Sequence, residues 1–155
     1  MKKCNVCTLV VMPLLALVIA STALAADTSP APTLTEIAKA DDFAVGKKAL
    51  AGKNWSLAAE SFKKVVADNP KNADGYNLLG YSSRWLGKYD EAFAAYNKAL
   101  ALDPRHKGAL EYSGVAYLKV KQKDKAEAQL AKLKSICATC EETVDLAKEI
   151  AAYKP

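Results

Sequence analysis

A period of 34 residues, repeated three times without an insertion, constrains this chain more than any other feature. In the clearest stretch, 73–106, the small and aromatic landmarks are Gly80, Ala92, Tyr96, Ala99 and Pro104. Thirty-four positions earlier stand Gly46, Ala58, Phe62, Val65 and Pro70, and thirty-four later stand Gly114, Ala126, Leu130, Leu133 and Ala138. Proline is lost only in the last unit. No segment alternates with period two, whereas Leu57, Ala58, Ser61, Phe62, Val65 and Val66 recur at helical spacing. The expected class is therefore all-α. A helix pair of this length cannot bury its apolar face alone, so the units must stack, and a stack presents a continuous surface for binding.

The spacing predicts seven helices, at 35–51, 55–68, 73–86, 89–102, 107–120, 123–136 and 140–153. Gly52 and Gly87 end the first helix of their units, Asn69-Pro70 and Asp103-Pro104 end the second, and Gly108 falls at the start of the fifth. Thr33-Leu34-Thr35-Glu36 reads as a capping box that opens the first helix. Before it, 26–34 reads as a flexible linker with Pro30 and Pro32.

The first 25 residues have the form of a secretory signal peptide. Met1-Lys2-Lys3 is basic, the stretch from Thr8 to Ala20 is apolar after its threonine, and Ala23-Leu24-Ala25 offers small residues at both specificity positions, so cleavage is expected after Ala25. An uncleaved anchor is the alternative, opposed by Pro13. A lipoprotein is opposed by Cys4 and Cys7, which precede the apolar stretch instead of following it. Export to the periplasm, or secretion, is the expected localisation. Of the 22 basic residues, Lys2 and Lys3 depart with the leader, leaving 20 against 17 acidic residues, a net charge of +3. So mild an excess does not argue for nucleic acid, and no membrane contact is expected once the leader is removed.

Tyr76, Leu79, Gly80, Ala92, Tyr96 and Pro104, with Gly87-Lys88-Tyr89-Asp90-Glu91-Ala92 between the helices, fall at the spacing of the tetratricopeptide repeat, which this chain resembles over 39–140. The resemblance implies an α-solenoid of three tetratricopeptide helix pairs (39–72, 73–106 and 107–140) closed by a C-terminal capping helix, 140–153, within a domain spanning 35–153. Asp42 departs from the pattern, standing where a large apolar residue is usual. The capping helix carries an apolar stripe of Val144, Leu146, Ala147, Ile150 and Ala151, and Leu146 and Ile150 are expected at the centre of its contact with the sixth helix.

Such arrays usually bind peptides or helices in the concave groove lined by the first helix of each unit. With Tyr76, Leu79 and Gly80 turned into the stack, the groove face of the middle unit is Asn77, Tyr81, Arg84 and Trp85. The register carries this to Phe43, Lys47, Leu50 and Ala51, and to Glu111, Val115, Leu118 and Lys119. Tryptophan, tyrosine and arginine are frequent interface anchors. The implied function is a non-enzymatic adaptor or assembly factor that binds a protein segment with apolar anchors and some acidic character. Self-association through the groove or an end face is also open. Alternatively, Tyr81 and Trp85 serve packing alone. Some family members hold a terminal carboxylate with Lys, Asn and Arg. Phe43, Leu78, Gly108 and Tyr112 occupy most of those places here, which argues against that mode.

Cys137-Ala138-Thr139-Cys140-Glu141-Glu142 is the one chemically pointed motif. Thr139 and Glu142 read as a capping box that puts Cys140 in the first turn of the last helix. A structural disulfide between Cys137 and Cys140 is expected in an oxidising compartment. Thiol–disulfide exchange, with the repeats selecting a client, is the alternative function, and metal binding or intermolecular pairing remain open. The motif is also similar to that of small exported bacterial tetratricopeptide proteins whose last helix follows Cys-Glu-Glu. Glu141 stands where a c-type haem would need histidine, a metal would need two more ligands, and His106 is the one histidine. No Gly-rich phosphate loop and no convergent carboxylate pair is evident, so no catalytic residue, cofactor or metal is expected.

Overall fold

The computed structural model describes the backbone of residues 34–154 and side chains from residue 42. The expected leader at 1–25, nearly all of the 26–34 linker and the Thr33–Glu36 capping box lie outside the described residues or side chains. Seven helices make up the described chain: α1 (Leu34–Ala51), α2 (Trp55–Asp68), α3 (Ala73–Trp85), α4 (Tyr89–Leu102), α5 (Lys107–Lys119), α6 (Lys123–Ile136) and α7 (Glu141–Ala152). The all-α solenoid expected from the period is the observed fold. Within each unit the two helices pack on one another, α2 packs on α3 and α4 on α5, and α3 also meets α5.

The turns repeat as faithfully as the helices. Lys53, Gly87 and Lys121, spaced by 34, all have positive φ (55°, 74° and 61°) and carry the chain from the first helix of a unit to the second. Left-handed backbone favours glycine, but only the middle unit has one. Gly52, expected to end α1 through its flexibility, lies one residue before that position. Between units, the second helix ends at Asn69, Asp103 and Cys137, each donating its N–H to the carbonyl four residues back. The next helix is N-capped by Asn72, His106 and Cys140. Asn72 Oδ1 accepts from Gly75 N at 2.8 Å, and His106 Nδ1 accepts from Ala109 N at 3.2 Å, satisfying N–H groups that a helix start leaves open. Cys140, not Thr139, is the N-cap of α7.

Glycines in the first helices are seats for large side chains. A Cβ on Gly46 would lie 2.7 Å from the Phe62 ring, and one on Gly80 would lie 2.6 Å from Tyr96. The register places Leu130 over Gly114 in the third unit. Instead, the seat is filled from α7, with Leu146 2.6 Å from the position a Cβ would take. Leu146 is fully buried with Leu110 and Leu133, whereas Ile150 is half-buried at the edge of that cluster. Burial of a leucine side chain contributes about 1.5–3 kcal/mol, and this one docks α7 onto both α5 and α6. Tyr96, packed between Gly80 and Ala116, is fully buried and its hydroxyl has no hydrogen-bond partner. Loss of solvation pushes its pKa well above the ordinary tyrosine range, so it stays neutral.

Candidate functional site

The first helices of the second and third units, α3 and α5, together with α7, enclose an open cavity of about 680 Å³. Its wall holds Tyr81, Arg84, Trp85, Glu111, Val115 and Lys119, six of the twelve residues expected on the groove face. Tyr112 joins them from α5, Tyr89 from the start of α4, and Asp145, Lys148 and Glu149 from α7. The other six lie elsewhere: Leu50 packs on the core of the first unit, Ala51 is exposed at the end of α1, and Leu118 is buried. Phe43 packs edge-on against Phe62, ring centroids 5.6 Å apart, and so belongs to the core of the first unit. Asn77 is buried beneath Gly108, and its Oδ1 has no partner. Lys47 is exposed on α1, away from the cavity. Phe43 and Asn77 are the same register position, and in both units it turns into the packing, so this position of the helix face belongs to the stack and not to the groove.

Aromatic rings run along this face in unbroken contact. Trp55 stacks on Trp85 with centroids 5.0 Å apart and planes 9° from parallel. Tyr81 meets both edge-on, at 6.1 and 6.3 Å, and tilts onto Tyr112 at 4.7 Å. The Arg84 guanidinium lies 5.0 Å from the ring centres of Tyr81 and of Trp85, positions where a cation is attracted to the ring faces. Trp85 remains 50% exposed despite the stacking, the largest exposure among the exposed large hydrophobic residues of the described chain. Trp55 escaped the sequence reading because it opens a second helix. The register did hold a clue, since Trp55 and Tyr89 are equivalent positions, Trp55 stacking on Trp85 and Tyr89 lining the cavity.

The charges in the wall are balanced: Arg84, Lys119 and Lys148 against Glu111, Asp145 and Glu149. Lys148 and Asp145 are paired at 3.3 Å. Arg84 has no ion pair among the described residues, and its Nε is buried without an acceptor. Glu111, half-buried, has its pKa pushed up to about 7, first by loss of solvation and then by the carboxylates Asp145 and Glu142, with Arg84 opposing. The acidic segment expected from the lysines and arginine alone is therefore not what this wall favours.

A second cluster surrounds the turn between α6 and α7. Cys137 and Cys140 are free thiols in the structure, so the expected disulfide is not formed there. The Cys140 thiol instead donates to the Cys137 carbonyl at 3.2 Å and lies 3.5 Å from Thr143 Oγ1, which itself donates to that carbonyl at 2.6 Å. Lys107 pairs with Glu142 at 3.1 Å beside them. Among the described residues no cluster of three or more His, Cys, Asp or Glu could hold a metal, and no helix is long and apolar enough to cross a membrane.

The model of the tetratricopeptide repeat family matches residues 73–106. The chain carries a tetratricopeptide repeat. The matched unit is the one that supplies Tyr81, Arg84, Trp85 and Tyr89 to the cavity. Heat shock protein STI1 of Saccharomyces cerevisiae is 42% identical over 59 residues, which is 38% of this chain and 10% of that protein. Protein SGT1 homolog of Oryza sativa subsp. japonica is 32% identical over 84 residues, 54% of this chain and 23% of that protein. The chain thus spans under a quarter of either curated relative. Among solved structures, the TPR2B domain of yeast Sti1, determined as its pHsp70 complex, superposes with a TM-score of 0.69 at 21% identity. The match covers 76% of this chain and 99% of that domain. At that identity the likeness is one of tetratricopeptide fold.

Proposed function

We propose that this chain is a non-enzymatic interaction module that holds a segment of a partner protein against the face formed by α3, α5 and α7. The observation that carries the reading is the row Trp55–Trp85–Tyr81–Tyr112. These are large, pre-packed rings left open to solvent beside a cavity, with an unpaired arginine laid across two of them. Rigid aromatics supply contact area at little entropic cost, and an arginine already stacked on rings loses little freedom on pairing. The segment suited to this wall carries apolar anchors and charges of both signs. The tetratricopeptide domain that resembles this one in fold was solved with pHsp70, which supports a peptide-like ligand without naming this chain's partner.

Capture tests this directly. Crosslinked partner should fall by at least about tenfold, about 1.4 kcal/mol, when Arg84 and Trp85 are both replaced by alanine. The melting temperature should change little because Trp85 is half exposed. The chain's two tryptophans, Trp55 and Trp85, are stacked together here, so ligand entry should also shift intrinsic fluorescence. Undiminished capture by the double variant would reject the groove. The reading extends to export, on the strength of the Met1–Ala25 pattern. N-terminal sequencing of the exported protein should then start at Ala26, and a start at Met1 would remove that part.

A further inference from the structure

The 34-residue register gives the two cysteines a structural context that a Cys-x-x-Cys pattern alone lacks. Each of the first two turns between units holds two side-chain hydrogen-bond acceptors three residues apart. At the first, Asn69 Oδ1 accepts from Lys71 N at 3.2 Å; at the second, Asp103 Oδ1 accepts from Arg105 N at 2.9 Å. The second acceptor of each turn is the N-cap, Asn72 or His106. Cys137 and Cys140 are the same two positions in the third turn. The backbone N–H groups of Thr139, the counterpart of Lys71 and Arg105, and of Cys140 favour the Cys137 thiolate, whereas the Cys140 side chain caps no N–H and donates to the Cys137 carbonyl at 3.2 Å. The fold has put sulfur where the earlier turns put an amide or carboxylate oxygen or, at His106, a ring nitrogen.

We infer that Cys137 and Cys140 form an exchange-active dithiol, in which Cys137 attacks an accessible disulfide and Cys140 resolves the product. This inference is independent of the groove. A site built for an acceptor stabilises a thiolate, and the two sulfurs are not equivalent in it. Cys140 can turn its S–H from the Cys137 carbonyl to the Cys137 sulfur once that is ionised. This bond, then the backbone N–H groups and the nearby Lys107 ammonium, lowers the Cys137 pKa, whereas giving the bond raises that of Cys140. Both side chains are partly open to solvent. Nor is a permanent bridge needed to hold α7, since Leu146 and the Lys107–Glu142 pair already dock it.

The exchange balances as two displacements. The Cys137 thiolate attacks one sulfur of the substrate disulfide, the S–S bond breaks, and one thiolate leaves with a proton from solvent. Cys140, having lost its proton to solvent, attacks the Cys137 sulfur of the mixed disulfide and expels the second thiol. The protein dithiol is oxidised and the disulfide is reduced to two thiols. Reduction by a thiol runs the same two displacements in reverse and restores the bond from the Cys140 thiol to the Cys137 carbonyl.

The full-length protein treated with glutathione disulfide, acid-quenched and weighed intact, tests this. The earlier turns supply substitutions the turn tolerates: Cys140→Asn copies Asn72, and Cys137→Asn copies Asn69. Cys140→Asn should accumulate glutathione on Cys137, and Cys137→Asn should react at least about tenfold more slowly at neutral pH, following thiolate fraction. The wild type should pass to an internal disulfide that reduced glutathione reopens. Lys107→Gln should move the pH profile of Cys137 alkylation upward, which a merely structural lysine would not do. Equal trapping by the two variants, a pair that resists oxidation, an internal disulfide that glutathione cannot reopen, or an unmoved profile would each overturn the inference.

Discussion

Replacing Glu111 by glutamine should stabilise the protein at neutral and alkaline pH while leaving it unchanged in acid. Glu111 faces Asp145, Glu142 and Glu141 from α7 and Arg84 from α3, and the acids together with burial outweigh the arginine. Its pKa is pushed up from 4.5 to about 7. A folded-state pKa above the unfolded one means that the proton is held more tightly in the folded protein. The associated stability is fully present below pH 4.5, is lost between pH 4.5 and 7, and stays lost above. At about 1.4 kcal/mol per unit the shift corresponds to roughly 3 kcal/mol. Water reaches much of this half-buried carboxyl, so about 1–2 kcal/mol is the expected gain for Glu111→Gln at pH 8. Urea denaturation of both proteins at pH 4 and pH 8 measures it. Subtracting the variant also removes the opposite slope from Glu142, whose pKa is lowered. Equal stability at pH 8, or parallel pH profiles, would refute the reasoning.

Further outcomes follow from the packing and the turns. Leu146→Ala should cost about 2–5 kcal/mol, as expected for a fully buried leucine whose neighbours relax incompletely. Ile150→Asp should cost less than that because its site is half-buried, and thermal melts that rank them the other way would show α7 docked differently. Gly80→Val should destabilise by about 1–3 kcal/mol, because the new side chain meets the Tyr96 ring. Lys121→Gly should stabilise by about 0.5–1 kcal/mol by relieving its left-handed backbone. Gly87→Ala should do the reverse, and matching urea midpoints would show that the turns bear no strain.

The fold was legible because its information is periodic. Glycines at 46, 80 and 114 set the seats, and helix ends fell within a residue or so of expectation. What periodicity could not report is where the period stops. Leu130 is the register's choice for the Gly114 seat, and no count of 34 leads to Leu146, which fills it from beyond the third unit. The site was half legible for a related reason. Tyr81, Arg84 and Trp85 follow from one helix face, but Asp145, Lys148 and Glu149 reach the cavity only through the docking of α7. Phe43 and Asn77 share the face assigned to the groove, yet side-chain packing takes one into the core and buries the other. The cysteines were legible as a pair, but the turn positions they share with Asn69, Asn72, Asp103 and His106 follow from the register and not from the Cys-x-x-Cys motif.

These departures converge on α7, which gives that helix more than a capping role. Its apolar face replaces the aromatic ring that the first two units draw from their own second helix, exchanging Phe62 and Tyr96 for a leucine from outside the repeat. Its polar face turns the third unit's end of the groove from open solvent into an acid-bearing wall, whose carboxylates add to the burial that raises Glu111. Its N-cap is Cys140, within the turn where sulfur replaces the oxygen or nitrogen acceptors of the earlier units. Oxidation of that turn would remove the bond from the Cys140 thiol to the Cys137 carbonyl, at one end of a helix whose other residues shape the cavity. The groove and the thiol pair are therefore joined by one twelve-residue helix, and a change in ligand capture on oxidation of wild type, absent in Cys140→Asn, is the signature such a connection must leave.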